Sequence, residues 1–203
     1  IAGSEMLPFK YWQKINNIDF VNIVEVDHMI LKQRSIKSPQ EIKVIEHAYK
    51  IAERGIKKGI EVVQKGVSER EIAAEIEYEM RKLGSEGMGI DTIIGSGKNN
   101  THPILTRTTS RTVKDGDHVL LTIAPRYQGY HGAIGRVVAI GQINENILRS
   151  YEIALKAQEE VIKNMSPGIK GFELDKIARD VCISGNLGSY FAYSGIHSVG
   201  VCE

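Results

Sequence analysis

The sequence holds no run of about 18 apolar residues that could span a bilayer, and its first residues lack the basic segment and apolar stretch of a secretory leader. A soluble, cytoplasmic protein is therefore expected. Cysteine is scarce: Cys182 and Cys202 are the only two, too few for a disulfide framework and not spaced as C-x-x-C for zinc or redox work. A reducing compartment fits this usage. An excess of one charge is missing as well. Lysine and arginine number 26 against 25 aspartates and glutamates, so no global field draws the chain to nucleic acid or to an acidic membrane. The string Gly95-Ser96-Gly97-Lys98 lacks the G-x-x-x-x-G-K-[ST] spacing and precedes no convincing helix, which excludes a phosphate loop. The chain starts at Ile1 without methionine and stops at Val201-Cys202-Glu203, straight after a strand-like run; both ends read as cuts.

What is present suits one main domain. With 203 residues, 42% of them hydrophobic, the chain can bury one sizeable core or one core with a small appendage. Residues 1–36 combine an apolar-aromatic stretch, Leu7 to Trp12, with a strand-like Phe20-Val21-Asn22-Ile23-Val24 and a basic Lys32-Gln33-Arg34. They are expected to form the edge of a preceding domain and a linker, leaving 37–203 as the principal domain. Ser38-Pro39-Gln40-Glu41 predicts a helix start, with serine as N-cap, proline in the first turn and glutamate closing a capping box. Ile45, Tyr49, Ala52, Ile56, Ile60 and Val63 follow at helical spacing. Gly66 ends that helix, and Ser68-Glu69-Arg70-Glu71 opens a second one that runs through Ile72, Ile76 and Met80 to Gly84. Beyond it lie Ile93-Ile94-Gly95, a polar loop, and two β-rich runs, 119–124 and 130–140, separated by Arg126-Tyr127-Gln128-Gly129.

The same order then begins again. At an offset of 102 residues, Tyr49-Lys50-Ile51-Ala52 falls on Tyr151-Glu152-Ile153-Ala154, Gly66-Val67 on Gly168-Ile169, and Glu71-Ile72 on Glu173-Leu174. Three matches at one offset predict a duplicated α+β unit, a helical hairpin plus a β-hairpin in each half, related by a pseudo-twofold. The second copy shows no β-hairpin, so the domain reads as incomplete at its C-terminal side.

This plan and several ordered strings resemble the pita-bread family of Xaa-Pro aminopeptidases, prolidases, methionine aminopeptidases and creatinase. Arg34 to Ile42 is similar to the linker and first helix start of the Xaa-Pro peptidase and creatinase branch, and Glu71 to Met80 to its second helix. Ile93-Ile94-Gly95-Ser96-Gly97-Lys98-Asn99 and Asp115-Gly116-Asp117-His118-Val119-Leu120 match its next landmarks in order. In peptidase members the strand after the Asp-Gly-Asp turn carries an aspartate, and its hairpin partner carries a second one eleven residues later. With a histidine and two glutamates, these hold two divalent metals whose bridging water attacks the peptide carbonyl. Here those two positions are Thr122 and Ala133. A hydroxyl and a methyl cannot replace two carboxylates, so no metal and no other cofactor is expected.

Two histidines carry the remaining chemistry. His197, in Gly195-Ile196-His197-Ser198-Val199-Gly200-Val201, lies at the family's histidine ligand, in a form that looks closest to metal-free creatinase. It could bind a carboxylate or amidino substrate, or be a hydrogen-bonded core histidine between small residues. His102 lies in the loop where the family carries a substrate-side histidine, the general base in creatinase, though a few residues early when measured from Asp117. A loop histidine suits proton transfer near neutrality and could equally be solvated. Tyr193, Arg136 and His131 are weaker substrate-binding candidates: Tyr193 stands where peptidases often have a histidine, Arg136 could meet a substrate carboxylate or pair with a surface acid, and His131 depends on strand alternation. Cys182 is expected to be buried on a helix face.

The expectation is thus a metal-independent hydrolase of a small C–N substrate. A non-catalytic relative that holds a peptide or protein in its cleft, and a metal-dependent Xaa-Pro peptidase, remain open. The resemblance implies a homodimer with a small-molecule or peptide substrate.

Overall fold

A computed structural model describes residues 7–18, 24–101, 107–193 and 195–201 of the chain. The chain divides into two compact units, Ile1–Lys43 and Val44–Glu203.

The first unit contains helices α1 (Phe9–Asn16) and α2 (Asp27–Ser35) and the start of α3 (Pro39–Val62). Most of the run expected to be strand-like, Phe20 to Val24, lies outside the described residues. The flanking stretches are helical rather than extended, and neither α1 nor α2 has a buried residue. Their local sequence explains the helices. Pro8 precedes α1 with extended backbone; α2 has Asp27 in its first turn and Lys32 and Arg34 in its last, each charge opposing the helix dipole. The capping box predicted for α3 is present: Ser38 Oγ accepts from Glu41 N at 3.3 Å, and Glu41 Oε2 accepts from Ser38 N at 2.6 Å.

In the second unit α3 and α4 (Glu69–Lys82) form the predicted hairpin, and α4 has the second capping box, with Ser68 N donating to Glu71 Oε2 at 2.7 Å. The apolar face of the pair, Ile51, Ala52 and Ile56 with Ile72, Ile76 and Met80, packs on the sheet residues Ile94, Val119, Leu121 and Ile123. Each of these large aliphatic side chains stabilises the unit by about 1.5–3 kcal/mol when fully buried. The helices approach closely because α3 offers Gly55 and Gly59, where a Cβ would come within 2.7 Å of Met80 Cγ and Ile76 Cδ1.

The two β-rich runs do not make one continuous hairpin. Strands β2 (Ile93–Ser96), β3 (His118–Ile123) and β6 (Ile134–Ala139) form one antiparallel sheet in the order β2-β3-β6. Strands β1 (Gly87–Met88), β4 (Pro125–Tyr127) and β5 (Tyr130–His131) form another in the order β1-β4-β5. The chain therefore changes sheets at Ala124 and again at Gly132-Ala133. Gly132 explains the second change: a Cβ there would stand 2.5 Å from Tyr49 N and 2.6 Å from Ala48 C, so only glycine lets this turn press against the α3 backbone.

The duplication is visible in the backbone. Helices α5 (Glu145–Asn164) and α6 (Gly171–Ser184) repeat the α3–α4 hairpin, and the connecting glycines, Gly66 and Gly168, take left-handed φ values of 92° and 91°. Glu173 reaches back to Lys170 N at 2.9 Å as Glu71 does to Ser68. A second core of Ala157, Val161, Leu174, Ala178 and Cys182 holds α5 to α6. Among the described residues no strand lies on this second hairpin as β2, β3 and β6 lie on the first. No helix of the described residues is long and apolar enough to cross a membrane.

Candidate functional site

On β3 the residues alternate: Val119, Leu121 and Ile123 are buried toward the helices, while His118, Leu120 and Thr122 form the half-buried outer face. Thr122 is opposite Gly135 on β6 and Ile93 on β2. Burial, with Arg111 nearby, holds His118 below the ordinary histidine range against the opposite pull of Asp117. Ala133 lies at the change of sheets and, with Tyr49 and His197, lines a cavity of about 540 Å³.

The rest of that cavity is mainly aliphatic, drawn from α5 and α6: Ala154, Ala157, Val161, Ala178 and Cys182. At the offset of 102 these correspond to Ala52, Gly55, Gly59, Ile76 and Met80, the face on which Leu121 and Ile123 rest in the first half. The cavity is thus the second half's counterpart of a sheet-packing surface. The polar side chains in its lining are Tyr49, Gln158 and His197, and chemistry at this cavity would fall to them. Cys182 is buried as expected, and burial pushes its thiol up against the smaller opposing effect of Arg179, so it is no ready nucleophile.

His197 is exposed on the segment that corresponds, at the same offset, to β2, with His197 on Gly95 and Ser198 on Ser96. Its Nδ1 lies 3.0 Å from the Ser198 carbonyl oxygen. A carbonyl can only accept, so in this contact the ring nitrogen is the donor. The other candidates are placed differently. His131 is 5% exposed, and its Nδ1 points to the Gly200 carbonyl at 3.2 Å; it is not among the residues lining the cavity. Arg136 is opposite Leu121 in the sheet register, so alternation sets it on the other face from Thr122, and its Nη1 donates to the Gly135 carbonyl at 2.7 Å. Tyr193 is 53% exposed and likewise absent from the cavity wall. His102 lies outside the described residues.

The structure adds a buried carboxylate that sequence reasoning passed over. Glu69, fully buried in the first turn of α4, accepts on Oε1 from Ser96 N at 2.8 Å and Ser96 Oγ at 2.6 Å, and on Oε2 from Thr109 N at 2.9 Å and Thr109 Oγ1 at 2.6 Å. Asn99 Nδ2 donates to both oxygens. Burial raises its pKa, but these four serine and threonine bonds together outweigh it and hold the carboxyl below the usual range. Beside it Arg111 forks onto Asp117 at 2.6 and 3.0 Å and onto Ser96 Oγ at 2.5 Å. Only the local part of this network, an acid beside a capping box, is visible in sequence; its partners are 27 and 40 residues away.

Residues 43–203 match Metallopeptidase family M24. The chain belongs to that family. It is 36% identical over 196 residues to the Xaa-Pro dipeptidase of Pyrococcus horikoshii, an alignment that covers 96% of this chain and 56% of the relative. Among solved structures it is similar to the prolidase from Pyrococcus furiosus, with a TM-score of 0.93 and 33% identity over 100% of this chain and 59% of that one. The X-Pro aminopeptidase from Thermotoga maritima gives a TM-score of 0.93 with 30% identity, covering 100% and 57%. The chain therefore spans just over half the length of these relatives, and its α+β pita-bread architecture agrees with the expectation from sequence.

The family description implies metal, and the donor set can be tested against it. At the two positions that the resemblance assigns to aspartates, Thr122 has a half-buried hydroxyl and Ala133 a methyl, and neither is an anionic oxygen donor of the kind that divalent ions favour. Among the described residues no group of three or more histidine, cysteine, aspartate or glutamate side chains converges.

Proposed function

We propose that this chain is part of an M24-family hydrolase whose cleft acts on a small C–N substrate, of the Xaa-Pro or amidino type, without the family's two-metal centre. The observation that supports the reading is that Thr122, half-buried on β3 opposite Gly135, and Ala133, which lines the same cavity as His197, supply no carboxylate. In this reading His197 orients the substrate: its Nε2 accepts from an amidino N–H when neutral and donates to a carboxylate when protonated. His102 serves as general base, taking a proton from water as the oxygen bonds to the substrate carbon; the C–N bond then breaks and the nitrogen leaves with that proton. Residues 37–203 form the hydrolase-type domain, a division supported by the family match from residue 43, and 1–36 belong to a preceding domain and linker. The reading includes a cytoplasmic homodimer.

The test is turnover by the full-length protein containing this chain, on Xaa-Pro dipeptides and on creatine-like amidino acids, with and without chelator. Hydrolysis unaffected by chelator and lost in His197→Ala is expected. Hydrolysis that chelator abolishes and manganese or cobalt restores would show a metal-dependent peptidase. Tight peptide binding without any turnover would show a binding protein.

A further inference from the structure

The carboxylate of Glu69 joins two stretches of chain that are held to it in different ways. Thr109 is fixed by main chain as well as side chain: Arg70 N donates to the Thr109 carbonyl at 3.2 Å, and Glu69 N to the Arg111 carbonyl at 3.0 Å. Asn99, in a 3-10 turn over Gly97–Thr101, is tied by its side-chain amide. Its Nδ2 donates to Glu69 Oε1 at 3.1 Å, to Glu69 Oε2 at 3.2 Å and to Thr109 Oγ1 at 3.0 Å. The start of the turn is braced separately. Ser96 pairs with Val119 in the sheet, and Gly97, with a left-handed φ of 48°, lies where a Cβ would collide with Asp117 Oδ1. The string Gly97-Lys98-Asn99-Asn100-Thr101 holds no apolar side chain, so hydrogen bonds rather than apolar packing fix the turn. His102 follows it directly in the sequence, three positions beyond Asn99, and lies outside the described residues.

We propose that Asn99 is a positioning residue for His102: by tying the turn to the buried Glu69 carboxylate and to Thr109, it fixes the point from which the chain reaches that histidine. The proposal rests on the reading that His102 is the general base. A base must come within hydrogen-bond reach of the proton it takes, and a misplacement of about 1 Å costs on the order of a hundredfold in rate. Glu69 makes the tie strong. Its carboxyl is held below the usual range, so it is ionised at neutral pH, and hydrogen bonds to an ionised acceptor are roughly twice as strong as neutral ones. Without the Asn99 amide the turn keeps its brace at Ser96 and Gly97 but loses its tie at residue 99, and the chain beyond loses that anchor.

Steady-state turnover of an Xaa-Pro dipeptide and of creatine by the full-length protein containing this chain tests it, in the parent, Asn99→Leu, His102→Ala and the double variant. Urea unfolding corrects each rate for the folded fraction. The expected result is a kcat lowered roughly ten- to a hundredfold in Asn99→Leu with KM little changed. Adding Asn99→Leu to His102→Ala is expected to cost nothing further, because a residue that acts through His102 then has nothing left to position. Asn99→Ala removes the same amide with less bulk and gives the same pattern. An unchanged kcat in folded Asn99→Leu or Asn99→Ala, beside an inactive His102→Ala, overturns this proposal alone. A fully additive loss in the double variant also overturns it, since that marks a role independent of His102. A parent without turnover on either substrate, or a His102→Ala as active as the parent, overturns the assignment of the base and this proposal together.

Discussion

Replacing Glu69 with glutamine keeps the size and shape of a fully buried side chain while converting one acceptor oxygen into a donor. Whichever oxygen is replaced faces a backbone N–H, that of Ser96 at 2.8 Å or of Thr109 at 2.9 Å, and that N–H cannot turn away. The adjacent hydroxyl can rotate to accept. Leaving the backbone donor unmatched costs about 1–3 kcal/mol, and the surviving bonds weaken because hydrogen bonds to a charged group are worth roughly twice those to a neutral one. The loss comes to on the order of 3–5 kcal/mol, a large part of a typical domain's stability. Urea unfolding at pH 7, followed by circular dichroism, measures it. The pH dependence follows from the depressed folded pKa. Above the ordinary glutamate value of 4.5 both folded and unfolded chains are ionised and the stabilisation is complete. On acidification the unfolded chain takes up its proton first, so stability falls until the folded pKa is passed. The gap between parent and Glu69→Gln therefore narrows below pH 4.5. A change under about 1 kcal/mol at pH 7, the net worth of one neutral hydrogen bond, or a gap that widens in acid, would refute the reasoning.

Two other substitutions probe elements that set the site. Gly132→Ala forces a Cβ against the α3 backbone at Ala48 and Tyr49 and is expected to lower stability by about 1–3 kcal/mol or more; a thermal melt unchanged from the parent would contradict the close approach. Asp117→Asn leaves the largely buried guanidinium of Arg111 without its counter-ion and is expected to cost about 3 kcal/mol, measured by urea unfolding, while a loss below about 0.5 kcal/mol would mark the pair as an ordinary surface ion pair.

The parts of the fold legible in sequence are those whose causes are local. Both capping boxes pair residues three apart, and Gly66 and Gly168 punctuate two copies of one helical hairpin, so α3 to α6 could be read from the chain alone. The division of the β-rich runs between two sheets could not, because it depends on Gly132 meeting an α3 backbone some eighty residues earlier. The same distance problem hid the grip of His131 on Gly200, which are 69 residues apart. At the site, the reading of Thr122 and Ala133 rests on spacing along the chain, and the pairing of β3 with β6 puts Thr122 opposite Gly135. Strand alternation, by contrast, sets Arg136 on the other face, a consequence of pairing that sequence spacing alone did not reveal.

The central claim is that an M24-family cleft here works without two metal ions, because Thr122 and Ala133 supply no carboxylate. Elemental analysis of freshly purified full-length protein tests it most directly. The account predicts no stoichiometric transition metal; about two ions per chain, the number a paired-metal centre holds, would contradict it.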